Sequence, residues 1–395
     1  MRFEFAGCAL DAATYTLVRD GQPITVEPQV FDLLHTLASQ AGNVVTKDDL
    51  IEAVWAGRIV SDATISARVS AARAAVGDTG RNQKIIRTVS RRGFQMVAEV
   101  KAIETLKTER KSEELQQVIR YTTAPDGGSI AWASAGEGPP VLYCWHHFSH
   151  LELDWSSSLL SPALVRLAKK HRLIRFDIRG AGFSDPIPSN VTLDDCVAEM
   201  KAVADAADLD QFPIIATLQA AAVAIRFAAR YPERVSRLVL HNPYAMGRAV
   251  RPNAPDNAEH DPFISLLKSS GWSDPEDGFM RAWATMVLPM ASPDEITELI
   301  RLIAKSVSAD AALKHRILID QFDVMRDLQD VKAPTLVIHA RLSSLHPVTE
   351  GRRVAAGIPA AEFMEVDSSN TFLIGSDTTF ERVMGATLEF LARGT

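Results

Sequence analysis

Arginine and lysine crowd one short stretch of this chain. Between Arg58 and Arg92 lie eight basic residues against two acidic ones, in a 395-residue protein whose formal charge is −7. Such a stretch offers a positive patch to a polyanion, because a field depends on where charges sit more than on their total. Within it, Ser61 is placed to cap a helix in which Ile65, Val69, Ala72 and Val76 fall at 4-3-4 spacing on one face. Burying that stripe is expected to leave Thr64, Ala67, Arg68, Ala71 and Arg73 outward. Small side chains permit close approach to a DNA major groove, and arginine pairs with guanine or holds phosphate. Two β-rich runs then flank Ser90-Arg91-Arg92-Gly93. That hairpin tip would carry Arg91 and Arg92 to the DNA backbone or a narrow minor groove.

A second group of reactive types follows downstream. Cys144 ends an apolar run, and His146, His147 and His150 occupy the loop after it. A thiol inside an apolar strand is usually inert. No carboxylate or thiol completes the histidines at the spacing of a metal site, so neither metal nor cofactor is read here. The other cysteines, Cys8 and Cys196, are distant and form no CxxC pair, which excludes a disulfide framework.

The elements that must position these groups fall into two blocks. Residues 1–100 read as short strands, three helices and a hairpin. Pro28 opens the first helix, with Val30, Phe31, Leu33, Leu34 and Leu37 on its apolar face, and Thr46 with Asp49 makes a capping box for the second. Residues 101–117, KAIETLKTERKSEELQQ, hold few apolar side chains and read as a solvated linker. From Val118 to residue 395, apolar runs such as VLYCW, RLIRFDI, FPIIAT, VSRLVLHN and PTLVIHA alternate with amphipathic stretches. Continuous apolar strands between helices imply a mostly parallel sheet covered on both faces, an α/β domain. From about 245 to 328 the alternation stops, and the helical segments there, with Trp272 and Trp283, read as a cap over the sheet.

Composition sets the outer limits. Apolar residues make up 47% and charged residues 23%, which fits a folded globular protein and excludes wholesale disorder or a coiled coil. The weakly polar run from Phe212 to Ile225 is interrupted by Gln219 and is shorter than the ~20 apolar residues of a membrane helix. Glu4 and Asp11 break any secretory signal, so a cytoplasmic protein without a membrane partner is expected.

Residues 1–100 resemble the OmpR/PhoB-type winged-helix domain in its ToxR/CadC-like arrangement, through VFDLLHTLASQAGNVVTKDDLIEAVW, VSDATISARVSAARAAVGD and IIRTVSRRGFQMVAEV. The resemblance implies a recognition helix over 61–76 and a wing over 85–98. Acids and bases are equal in number, eleven each, across those 100 residues. Modest affinity per domain, salt dependence and binding to double-stranded promoter DNA as a homodimer are therefore expected.

Residues 118–395 resemble the α/β-hydrolase fold, through HFSHLELDW, LIRFDIRGAGFSD, FAARYPERVSRLVLHNPYA, PTLVIHARLSSLHPVTEGRRVAAGIP and DSSNTFLI. That fold carries a nucleophile on a sharp strand-to-helix turn, and an acid and a histidine on later loops. By the resemblance, the turn reads Ala216-Thr217-Leu218-Gln219-Ala220-Ala221 in place of GxSxGG, with Leu218 at the nucleophile. Ser343 stands at the acid, beside Leu342, and Thr371 at the histidine. The expectation is a chain that is not an enzyme but keeps the fold's pocket. Its lining is expected from Trp145, His146, His147, Phe148, Leu218, Gln219, Tyr244, Ser343 and Thr371, with Trp272 and Trp283 from the cap. The backbone N–H groups near His147 and Phe148 and of Gln219 fall where the fold binds an oxyanion.

The reading is a one-component transcription regulator whose catalytically empty hydrolase-like domain binds a small organic effector, an ester, lactone or aromatic acid. Two rivals remain: an active hydrolase with an unconventional nucleophile and a DNA-targeting domain, and a hydrolase-like domain used only for dimerisation.

Overall fold

The computed structural model describes residues 2–11, 16–24, 26–55, 60–90, 92–103, 115–144, 146–251, 272, 278–343 and 345–393. The chain divides into two units, Met1–Ser112 and Glu113–Thr395.

In the first unit, Arg2–Phe5, Cys8–Asp11, Thr16–Arg19 and Gln22–Ile24 form an antiparallel meander. Lys101–Ile103 adds a fifth strand beside Arg2–Glu4. The expected linker thus loses its first three residues, because a short strand can satisfy its backbone on an existing edge without an apolar pattern of its own. Residues 104–114 of that expected linker lie outside the described residues. Helices Pro28–Ser39, Lys47–Trp55 and Asp62–Ala75 follow. Thr46 and Asp49 cap the second reciprocally, with N···O distances of 3.0 and 3.1 Å, and Ser61 Oγ accepts the Thr64 N–H at 3.2 Å on the third. Leu33, Leu34, Leu37, Leu50, Ile65 and Val69 pack into one buried core. A three-stranded sheet closes the unit: Gly93–Met96 lies between Ile86–Val89 and Val44–Val45.

The second unit is built on eight strands in the order Glu362–Val366, Thr335–Ala340, Val235–His241, Phe212–Thr217, Pro140–Cys144, Arg172–Phe176, Ser129–Ala135 and Val118–Thr123. The first six run parallel and the last two join antiparallel. Every residue of Thr335–Ala340 is buried, as a strand covered on both faces must be. Helices Gly278–Val287, Pro293–Ser306 and Ala309–Asp320 interrupt the alternation between two neighbouring strands, forming the cap. Ser292, followed by Pro293, opens the middle one with a capping box, and Ser308 caps the next. The two units are a winged helix-turn-helix and an α/β-hydrolase fold with a helical cap. Among the described residues no helix is long and apolar enough to cross a membrane.

Gly93 shows how tightly the wing is held. Its φ is +143°, and a Cβ there would lie 2.0 Å from the Val45 carbonyl oxygen in the neighbouring strand. Gly93→Ala is expected to destabilise the first unit by about 2 kcal/mol or more, from strain plus loss of that pairing. Chemical denaturation followed by a probe in that unit should show its midpoint lowered and the second unit's unchanged.

Candidate nucleic-acid interface and ligand cavity

On the helix Asp62–Ala75 the outward face carries Ala63, Ser66, Ala67, Ser70 and Ala74, all exposed. Of the residues expected there, Ala67 is fully outward. Thr64 is half-buried with its hydroxyl 3.0 Å from that of Ser61. Arg68 is half-buried and tied back to the first helix, 2.5 Å from a Glu27 carboxylate oxygen and donating from Nε to Gln29 at 3.0 Å. Ala71 is half-buried against the core. Arg73 turns inward, and its expected outward place is corrected. Its Nε and Nη2 donate to the Ile86 carbonyl at 3.0 and 2.9 Å, and Nη2 also to Thr88 Oγ1 at 2.9 Å. The reason is spacing: Arg73 lies four residues after Val69, on the buried stripe, and its length lets the guanidinium clamp the wing strand.

Of the described cations between Arg58 and Arg92, Arg81, Lys84, Arg87 and Arg92, in the wing and its approach, are exposed. Arg91 lies outside the described residues. Asp78, in the same stretch, does not offset them outwardly. Burial works against its charge, but N–H groups of Ile86, Ile85, Thr79 and Lys84 hold the carboxyl below its usual value. This acid orders the approach to the wing.

The second site begins at a turn. Between strand Phe212–Thr217 and helix Gln219–Arg230 the chain reverses through Leu218 alone, at φ 54° and ψ −122°. Its N–H donates to the His241 carbonyl at 2.9 Å on the neighbouring strand. This is the elbow the fold reserves for a nucleophile, and its side chain here is hydrocarbon. Above it lies a cavity of about 450 Å³. A larger depression of about 970 Å³ sits at the amino ends of the strands, near Pro140, Pro213 and Pro334. Sheets of this kind bind at their carboxyl ends, which favours the cavity over Leu218.

His146, His147, Leu218, Gln219, Tyr244 and Thr371 converge on this cavity, with Trp272 and Trp283 from the cap. Phe148 does not line it. It is buried behind, with its ring centroid 3.5 Å from that of His146 and 5.9 Å from that of Trp283. Ser343 is also buried without lining the space, because its backbone turns back onto Ala340. Trp145 lies outside the described residues. Thr371 is pinned at both backbone ends, donating to the Val287 carbonyl at 2.8 Å and accepting from Asn242 Nδ2 at 2.6 Å.

Sequence reasoning missed the charged wall. Arg248, Arg251, Arg316, Asp320 and His346 also line the cavity. Arg316 and Asp320, four apart on one helix, form an ion pair, and Arg248 Nε lies 3.8 Å from the same Asp320 oxygen. The i,i+4 spacing of the first two was readable; their meeting with Arg248 was not. Burial keeps His146 and His147 well below the usual histidine range, aided by neighbouring histidines, and pushes His315 down to about 4. His346 is lowered by burial and then by Arg251. These imidazoles are neutral at pH 7. Burial pushes the Cys144 thiol up, which removes it as a ready thiolate.

The family model described as "Transcriptional regulatory protein, C terminal" matches residues 21–96, and the one described as "alpha/beta hydrolase fold" matches residues 141–374. A putative carbamate hydrolase, RutD of Rhizobium rhizogenes, is 25% identical over 216 residues, covering 53% of this chain and 79% of that protein. The transcriptional activator CadC of Escherichia coli is 32% identical over 83 residues, 21% of this chain and 16% of that protein. Among solved structures, a hydrolase from Pseudomonas aeruginosa aligns with TM-score 0.57 at 21% identity, over 69% of this chain and 98% of its own. The enol-lactonase of Burkholderia xenovorans aligns with TM-score 0.56 at 19% identity, over 69% and 99%. The structural likenesses show the fold alone. The expectation of a chain that is not an enzyme, drawn from Leu218, Ser343 and Thr371, is overturned. The proteins matched over most of their length are named as hydrolases, and three substituted positions do not outweigh that. The chain belongs to the α/β-hydrolase-fold family and joins to that fold an OmpR/PhoB-type DNA-binding domain of transcriptional regulators.

Proposed function

We propose that this protein is a one-component transcription regulator. Its winged helix binds double-stranded promoter DNA, and its hydrolase-fold domain takes a small organic ligand in the cavity over Leu218. The observation that carries the reading is the presence, on one chain, of a DNA-binding unit and a cavity of about 450 Å³ with converging polar groups. An open cavity disfavours a domain kept only for dimerisation. A ligand changes DNA occupancy only if it binds one arrangement of the protein better than another, so the ligand must favour a particular placement of cap or partner copy. Association as a two-fold pair on paired half-sites would compensate for the modest charge of each winged helix.

Hydrolysis of the bound molecule is a second reading, favoured by the hydrolase names of the relatives and by the retained elbow backbone. Leu218 and Cys144 supply no nucleophile, so this reading needs water, with neutral His147 as the base beside a carbonyl. Turnover of p-nitrophenyl esters above the buffer rate, reduced in His147→Gln, would establish it. A rate equal to buffer would remove it.

Two outcomes test the regulator. Genomic fragments selected on the full chain should bind with an affinity that changes by about fivefold or more, about 1 kcal/mol, when a molecule that raises the second unit's melting temperature is added. No change with any stabilising molecule would overturn the reading. Arg87→Ala and Arg92→Ala should each weaken DNA binding uniformly and lower the salt slope by about 1, without altering stability. Arg73→Met should instead destabilise the first unit by about 1–3 kcal/mol, by leaving the buried Ile86 carbonyl short of its donors.

A further inference from the structure

The cavity over Leu218 is electrically lopsided. Among the described residues three guanidiniums line it, those of Arg248, Arg251 and Arg316, against one carboxylate, Asp320. That carboxylate is engaged by Arg316 and approached by Arg248. Arg251 has no such acid among the described residues. Its Nε donates to the Met246 carbonyl at 3.1 Å, and its guanidinium carbon lies 5.9 Å from the Tyr244 ring centroid. Its Nη2 is buried and meets no hydrogen-bond partner among the described residues. Beside it the His346 ring stacks on Tyr244, centroids 4.4 Å apart and planes 19° off parallel, and His346 Nδ1 is likewise buried without a partner. Donors of a charged group left unmade in a buried place are costly, and an anion is the acceptor that removes the cost most fully.

The rest of the lining is of another kind. Leu218, Met286 and Ile319 give the middle an apolar wall. His147 and Thr371, 9% and 0% exposed, also line the cavity, and their Nδ1 and Oγ1 are buried without partners among the described residues. These two are neutral, so they suit a hydroxyl or carbonyl.

We infer that the cavity takes a small organic acid, its carboxylate against Arg251 and His346, its body against Leu218 and its neutral polar end at His147 and Thr371. The inference rests on the reading of this cavity as a ligand site. A cationic ligand would face three guanidiniums. A phosphate dianion would require more free donors than one guanidinium and a neutral imidazole provide. A monoanion matches what is unpaired.

The test uses the full-length chain and calorimetric titration with 4-hydroxybenzoate, phenylpyruvate and 3-hydroxyoctanoate, each beside its amide and methyl ester. At least one acid is expected to bind, and its amide at least tenfold more weakly. Arg251→Gln should reduce the acid's affinity about tenfold or more and leave the amide's unchanged, while Arg251→Lys keeps part of the acid's advantage. The melting temperature of each unliganded variant separates lost binding from lost folding. If amides or esters bind as tightly as the acids, or if a folded Arg251→Gln protein binds an acid undiminished, the carboxylate assignment is overturned and the ligand site stands. If none of the acids, amides or esters binds, the assignment falls together with the ligand-site reading.

Discussion

A parallel sheet delivers its strand ends to one edge, and the chain must leave Phe212–Thr217 and enter Gln219–Arg230 within a single residue. Leu218 carries that reversal at φ 54° and ψ −122°. A side chain with a Cβ held in such a region costs on the order of 1–3 kcal/mol. Burying leucine to 2% exposure returns a similar amount, about 1.5–3 kcal/mol. The turn is thus affordable without a catalytic group at its apex. Its consequence is geometric: the start of the following helix, with its unbonded first N–H groups, is presented to the space beneath the cap.

That space owes its character to three separate segments. The stretch after Tyr244 brings Arg248 and Arg251, the last cap helix brings Arg316 and Asp320, and the loop after Thr335–Ala340 brings His346. None touches another through sequence proximity except the Arg316–Asp320 pair. The histidines respond to the positive wall. Burial first, then Arg251, His339, Arg248 and Arg316, opposes a proton on His346, and burial, then His146, His315 and Arg316, opposes one on His147. Positive potential and neutral imidazoles therefore arise from the same packing.

How much of this the sequence disclosed depends on whether the signal was local. The buried strands were legible as continuous apolar runs, and the helix starts at Ser61 and Thr46 as capping residues, because both signals live within a few residues. The elbow could be placed at Leu218 by spacing from the following segment. Arg73 was misjudged because its type suggested a surface while its position, four after Val69, lay on the buried stripe. Lys101–Ile103 was absorbed into a linker because three residues added to an edge leave no periodicity. Arg248 and Arg251 were invisible as site residues, since irregular chain carries no period and their partners come from distant segments. Phe148 and Ser343 were placed in the lining by the fold's pattern, which fixes the backbone better than it fixes which side chain reaches the cavity.

The winged helix and the cavity make different demands on charge, and this bears on how one could control the other. The DNA-binding unit carries as many acids as bases over residues 1–100, and two of its arginines, Arg68 and Arg73, are consumed internally. Its DNA affinity then leans on the exposed cations of the wing and its approach, a small set whose phosphate contacts are individually weak and screened by salt. A unit held this lightly responds to small biases. Under the proposed regulator, a coupling of about 1–3 kcal/mol between cavity and DNA would change occupancy about 5–150-fold. Under the same proposal, a ligand bridging wall segments from the cap and from the loops at the sheet's edge would supply a bias of that order by binding best when those segments are held at one spacing.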